Sequence, residues 1–222
     1  MSFSVVLLII AFFLTPDKAN WCRIIFLGAT ETNYYCLLIH RTQPGSHYAL
    51  FDSVYVVQFS NQENKLQNRK LIRTWAWTQL NDHPIEKDSA LTFDIGTYLT
   101  DLKLRNQFPS DDLDKYDFTF RNSRLYLRSG TQESLLADSA ILGRSQEWLL
   151  PFAQQTPREW LALHLRGLLS QARVVEYFRT KSFYYFVIRT GWGSGDTNFL
   201  QFIIPIPEPI IAGILDGFKK RK

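Results

Sequence analysis

The chain has 222 residues, of which 45% are hydrophobic and 21% charged, with 17 Phe, 10 Tyr and 6 Trp. This composition excludes a disordered protein and is typical of an aromatic-rich globular fold. Lys and Arg number 25 against 21 Asp and Glu, a formal charge of +4, and because the two signs are interspersed we expect no nucleic-acid partner.

The first element is an uncharged apolar run over residues 4–14, followed by the breaker pair Thr15-Pro16. As a helix this run would span about 16 Å, roughly half of a bilayer core. That length favours a secretory signal peptide over residues 1–19, with Ala19 as the small residue before the cleavage point. No Lys or Arg precedes the run, so an uncleaved anchor and a buried first strand stay open as alternatives.

Cys22 and Cys36 are the only cysteines of the chain. In an exported protein they are candidates for a disulfide that closes a loop of about 15 residues. Two buried free thiols are the alternative. If residues 21–27 and 34–40 pair as a hairpin, Cys22 faces a residue near Ile39, and this geometry argues mildly against the bridge.

Short runs rich in β-branched and aromatic residues dominate from residue 21 to about residue 142, separated by polar turn clusters. They predict an antiparallel meander, with hairpin turns at residues 61–65 and at Asn122-Ser123. The predicted strands span residues 23–27, 34–40, 48–60, 66–78, 90–95, 98–105, 116–121 and 124–128.

The fourth of these strands interleaves basic residues with tryptophans. On a regular strand, one face would carry Arg69, Leu71, Arg73, Trp75 and Trp77. Such a face is suited to stacking on bases, sugars or a peptide. The alternative is that the two tryptophans pack inward and the arginines lie at the open end of the sheet.

Residues 110–117 carry four carboxylates. The segment lacks the glycine and the closing glutamate of an EF-hand loop, so we predict a solvated turn. Among the four histidines, no pair has a metal-ligand spacing, and we expect neither a metal nor a cofactor. His47 and His164 are weak candidates for a catalytic base, because a sequence distance alone establishes no triad.

A long amphipathic helix is predicted near residues 157–178. Thr156 is a suitable cap, Pro157 suits the first helical position, and Glu159 completes a capping box. The apolar residues that follow are spaced by three and four, which indicates one buried face. A shorter helix is predicted before it, at residues 145–153.

Two more strands are predicted at residues 182–189 and 198–204. The loop between them contains three glycines and matches no phosphate-binding or hydrolase motif. Trp192, Ser194 and Asp196 in this loop are candidate binding residues, although a flexible hairpin connection would explain the glycines equally.

Prolines at positions 205, 207 and 209 are predicted to end the sheet, because proline donates no ladder hydrogen bond. Residues 209–222 then form a short amphipathic helix with a basic end. Such a helix docks on its own domain, on a partner or on a membrane surface. The residues available for peripheral membrane contact are Phe218, Lys219, Lys220, Arg221 and Lys222.

These elements predict an α+β, β-rich fold. Residues 20–222 are expected to form one domain in which the meander sheet packs against the long helix, and a strongly curved sheet is one alternative. We expect a secreted, periplasmic or envelope-associated protein without catalytic activity that binds a protein, a glycan or a small apolar ligand. The expected surface combines Trp192 with Trp75 and Trp77. Alternatives are an envelope hydrolase with His47 or His164 as base, a membrane-anchored protein, and a cytoplasmic protein with a buried first strand and a basic docking tail.

Overall fold

The computed structural model describes residues 21–42, 49–78, 109–142, 172–191 and 199–220. The described part is rich in strands and ends in one short helix. Its elements are β1 (Trp21–Ala29), β2 (Asn33–Thr42), β3 (Ala49–Ser60), β4 (Leu66–Thr78), β5 (Asp117–Arg121), β6 (Arg124–Ser129), β7 (Gln132–Ala137), β8 (Arg173–Arg179), β9 (Phe183–Gly191), β10 (Phe199–Pro207) and α1 (Glu208–Lys220).

Two sheets contain these strands. The larger has the order β4-β3-β2-β1-β10-β9-β8, and the smaller has the order β5-β6-β7. The predicted meander is confirmed for β1 to β4, which pair antiparallel in chain order. The larger sheet as a whole is mixed, however, because β1 pairs parallel to β10 at Cys22↔Leu200. The strong curvature that we considered is not supported.

One aromatic core joins the two halves of the large sheet. Phe26 on β1 contacts both Phe178 on β8 and Tyr185 on β9, each at 4.7 Å between ring centroids. Tyr34 on β2 stacks on Phe59 of β3 at 4.9 Å. These rings are buried, and aromatic pairs at such distances add to the stabilisation gained from burial.

The predicted long helix is wrong at its C-terminal end. Residues 173–178 belong to β8, where Tyr177 pairs with Phe186, and residues 157–171 lie outside the described residues. The pairing of β8 with β9 shifts register between Val174 and Glu176. This bulge breaks the alternation that identifies a strand, so the apolar spacing of three and four favoured a helix in the sequence.

β7 has no counterpart among the predicted strands. Its sequence, QESLLA, has no β-branched or aromatic residue, so its propensity gives no strand signal. It forms by pairing with β6 through a two-residue turn in which Gly130 has a φ of 61°. The predicted strands at residues 90–95 and 98–105, and the helix at 145–153, lie outside the described residues.

The expectation that prolines end the sheet is also wrong. Pro205 and Pro207 lie within β10, opposite Tyr185 and Phe183. The carbonyl of Ile203 accepts a hydrogen bond from the side chain of Asn64 at 3.0 Å, so its backbone groups point away from β9. The backbone groups of every second residue in a strand point to the same side, so the nitrogens of Pro205 and Pro207 also point away from β9. No ladder bond to β9 is lost.

The short C-terminal helix is confirmed as α1. Its residues Ile211 and Phe218 are 1% and 4% exposed, and the Phe218 ring lies 5.8 Å from that of Tyr116. The helix therefore packs on its own domain through its apolar face. Among the described residues, no helix combines the length and apolarity needed to cross a membrane.

Candidate functional site

A cleft of about 520 Å³ lies between β8 and the segment that leads into β5. This volume falls within the range of ligand pockets in proteins, about 300–1,000 Å³. Polar and apolar atoms share its wall about equally, with aromatic rings among the apolar groups and carboxylates from both sides. The lining residues are Pro109, Ser110, Asp114, Tyr116, Phe118, Val174, Val175, Glu176 and Tyr177.

Residues 109–116 form one wall as a pair of tight turns. The amide of Asp114 donates to the carbonyl of Asp111 at 3.1 Å, and that of Tyr116 donates to the carbonyl of Leu113 at 2.9 Å. Leu113 is fully buried. Burial of one leucine between polar neighbours fixes the segment to the domain, so the predicted solvated turn is solvated on only one side.

Tyr177 of β8 holds this segment through three hydrogen bonds. Its carbonyl accepts from the amide of Ser110 at 2.8 Å. Its hydroxyl accepts from the amide of Leu113 at 2.7 Å and donates to Oδ1 of Asp114 at 2.8 Å. Burial, and then the hydrogen bond to Asp114, raise the pKa of the Tyr177 hydroxyl.

A second tyrosine, Tyr184, holds the same segment at Asp112. The hydroxyl of Tyr184 donates to Oδ2 of Asp112 at 2.6 Å, and Nη1 of Arg179 lies 3.0 Å from the same oxygen. Ser110 donates its hydroxyl to the other oxygen of Asp112 at 2.7 Å. Burial, followed by the bond to Asp112, raises the pKa of Tyr184. Arg179 also lies 3.4 Å from Glu208, the first residue of α1.

This arrangement is suited to binding. The phenols of Tyr177 and Tyr184 are protonated at neutral pH, as an ordinary tyrosine is, and burial raises their pKa further, so they act as donors and not as bases. Among the described residues, no three His, Cys, Asp or Glu side chains converge as a metal site requires.

The sequence did not reveal these residues as a site. Asp112 and Asp114 stood out as part of an acidic segment, but their partners Tyr184 and Tyr177 lie 72 and 63 positions away. No local spacing signals a contact over such separations. An acidic turn that contains a leucine was the one available indication that the segment is anchored.

The predicted binding strand is β4, at the opposite edge of the large sheet from the cleft. The expected single face is wrong, because the register shifts so that Leu71 pairs with Tyr55 and Arg73 with Val54. Neighbouring residues on a strand face opposite sides, so Arg73 lies on the other face from Leu71. Arg69 lies over the ring of Tyr55, 5.2 Å from its centroid.

Trp75 and Trp77 pair with Asp52 and Leu50 of β3. The sheet order places β3, β2, β1 and β10 between their strand and β9, which leads into the loop of Trp192. The loop residues Trp192, Ser194 and Asp196, and the histidines His47 and His164, lie outside the described residues. Their roles stay predictions.

The candidate disulfide is not formed, since Cys22 and Cys36 are both free and buried. Cys22 lies opposite His40, next to the Ile39 expected from the hairpin, and Cys36 lies opposite Phe26. Burial raises the pKa of both thiols. Buried, protonated thiols are poor nucleophiles, so these cysteines belong to the core.

No protein-family model, no curated protein and no solved structure matches this chain. Its function is therefore inferred from the volume, the lining and the charges of the cleft.

Proposed function

We propose that this protein is a non-catalytic binding protein, exported or associated with the cell envelope, whose ligand occupies the cleft beside β8. The observation that carries the proposal is the cleft itself: about 520 Å³, with apolar and aromatic side chains beside polar ones. Ligand sites in proteins have this composition. The apolar run at residues 4–14 supports export.

The hydrogen bonds of the site favour binding over catalysis. A nucleophilic hydroxyl needs a neighbouring base that takes its proton. The hydroxyl of Ser110 donates to Asp112, which already accepts from Tyr184 and pairs with Arg179. Both oxygens of Asp112 are thus engaged in holding the segment, one by Ser110 and the other by Tyr184 and Arg179. The alternative of an envelope hydrolase requires His47 or His164.

The size of the cleft suits a small ligand, or one side chain of a protein or glycan partner. The strand with Trp75 and Trp77 and the loop with Trp192 stay in the proposal as a second contact surface. Contact with a membrane surface would use the basic end of α1, where Lys219 and Lys220 are exposed. Phe218 is buried and takes no part in it.

The cleft is tested by titrating the protein with benzyl alcohol, benzoate, benzylammonium, maltose and a short glycine-alanine peptide, followed in amide NMR spectra. We expect at least one probe to shift the amide signals of residues 110–118 and 173–177. In Val175→Trp, the larger side chain fills the cleft from a position that is 36% exposed, and these shifts should disappear.

The matched control is Leu71→Trp, which makes a similar change at an apolar strand residue that is 53% exposed on β4. It should leave the probe shifts unchanged. The proposal is overturned if no probe shifts the cleft signals at millimolar concentration, or if Val175→Trp binds as the original protein does.

Export is tested separately by the intact mass of the protein from a secretion-competent host. A chain that lacks about the first 19 residues supports the signal peptide. A full-length chain contradicts cleavage and favours the anchor or the buried strand.

A further inference from the structure

Among the residues that the structure describes, two carboxylates of the cleft have no cationic partner. Asp114 and Glu176 line it from opposite walls, and within the described part of the chain neither forms an ion pair. Asp112, by contrast, is neutralised by Arg179 at 3.0 Å. Asp114 and Glu176 are both exposed, so their charges attract a cation that enters the cleft.

The aromatic residues of the cleft favour the same charge. Tyr116, Phe118 and Tyr177 line it, and the ammonium of Lys115 already lies 5.3 Å from the centroid of the Tyr116 ring. The face of an aromatic ring attracts cations, most strongly where water is partly excluded. Carboxylates and aromatic faces together bind organic cations and repel anions.

The edge of β8 argues against a strand as the ligand. β8 is the last strand of the sheet, but it is bulged between Val174 and Glu176 and carries the exposed charges Arg173 and Glu176. Bulges and charges are the features that prevent pairing at sheet edges. The ligand is therefore held by side chains and not by added ladder hydrogen bonds.

From these observations we infer that the ligand of the cleft carries an organic cation, an ammonium or guanidinium group joined to an apolar group, held between the carboxylates of Asp114 and Glu176. This inference rests on the proposed function and specifies the chemical class of its ligand. The apolar part lies against Val174, Val175 and Phe118.

The test compares choline with 3,3-dimethylbutan-1-ol, which has the same shape but a carbon in place of the charged nitrogen. We expect choline to shift the signals of residues 110–118 and 173–177 and to bind about tenfold more tightly than the alcohol. Its affinity should fall as salt is raised from about 0.01 to about 1 M, because ions screen exposed charges.

Glu176→Gln removes one of the two charges and should weaken choline binding about three- to fivefold, with little effect on the alcohol. The matched control is Glu63→Gln in the exposed turn after β3, which changes the net charge equally. Asp114→Asn should weaken choline similarly, and its side-chain oxygen still accepts from Tyr177.

Equal binding of choline and the alcohol would overturn the inference and leave the proposed function standing. The same holds if benzyl alcohol or benzoate occupies the cleft and choline does not. If no probe of either experiment shifts the cleft signals, both the inference and the proposed function are wrong. Loss of choline binding in Glu63→Gln would also contradict the inference, since it would indicate a nonspecific charge effect.

Discussion

Two polar clusters in this protein are built alike and placed differently. In the turn after β3, Asn64 accepts a hydrogen bond from the hydroxyl of Tyr34, and Asn61 accepts one from Tyr185 at 2.9 Å. Beside the cleft, Asp112 and Asp114 accept from Tyr184 and Tyr177. In each case two tyrosines of the large sheet hold a turn through its side chains.

The clusters differ in burial and charge. Asn61 and Asn64 are 2% and 5% exposed, whereas the side chain of Asp112 is 29% exposed. A neutral amide with all its bonds satisfied is tolerated in the core, but a buried carboxylate is costly unless it is paired. The amide cluster is therefore suited to the core, whereas the carboxylate cluster places charge at the surface, beside the cleft where we propose that a ligand binds.

The largest expected effect is from Asn64→Ala. Its amide also donates to the carbonyl of Ile203 at 3.0 Å, so the substitution leaves two buried groups without partners and puts alanine at a φ of 51°. We expect a loss of about 3–5 kcal/mol in the free energy of unfolding, measured by urea denaturation. Asp114→Asn should cost less than about 1 kcal/mol, and an equal loss in both variants would refute the distinction between the clusters.

The second expectation concerns alkaline pH. Burial raises the pKa of Tyr34 and of Cys36 well above their ordinary values of 10.0 and 9.0. Above pH 9 to 10 the unfolded chain therefore releases protons that the folded chain keeps, and stability falls as pH rises. Each such group contributes a slope of about 1.4 kcal/mol per pH unit.

Urea midpoints between pH 7 and 11 would measure this slope. Tyr34→Phe should remove the contribution of one titrating group from the slope, about 1.4 kcal/mol per pH unit, whatever its effect on stability at neutral pH. Phe59→Leu changes the ring that stacks on Tyr34 without removing an ionisable group, so it is the control and should keep the slope. A midpoint that stays level to pH 11 would contradict the burial of these groups in solution.

The amide cluster also shows what a sequence conveys about this fold. The turn at residues 61–65 and the strands on both sides were predictable, because alternation and turn residues are local signals. The contacts that make the turn part of the core were not: Asn64 meets Ile203 across 139 positions, and a polar residue in a predicted turn gives no sign of burial.

The cleft was less predictable still, because the local sequence pattern of each wall misleads for a different reason. β8 has a bulge at Val175, which removes the alternation and leaves helical spacing as the stronger pattern. The acidic segment has turn composition, which is correct, but its attachment depends on Tyr177 and Tyr184. Sequence patterns reveal elements, whereas this site is formed by tertiary contacts between them.

A third, smaller effect is expected from Asp112→Ala. The substitution removes the acceptor for Tyr184 and Ser110 and the partner of Arg179. Because the cluster is partly exposed, water replaces the lost contacts and we expect a cost of about 1–2 kcal/mol. Urea denaturation would measure it. A cost as large as that of Asn64→Ala would mean that the cleft cluster also serves mainly the fold.

The smallest effect distinguishes the amide cluster from an ordinary hairpin turn by the sign of the stability change. Asn64 and Ser123 have nearly the same backbone conformation, with φ of 51° and 55°, which disfavours residues other than glycine. Ser123 lies in the turn between β5 and β6, where glycine is the preferred residue, so Ser123→Gly should stabilise the protein by about 0.5–1 kcal/mol. Asn64→Gly relieves the same backbone cost but removes the bonds to Tyr34 and Ile203, so it should destabilise. Thermal unfolding of the two variants measures both, and a gain in stability for Asn64→Gly would show that its buried hydrogen bonds contribute less than the backbone strain they accompany.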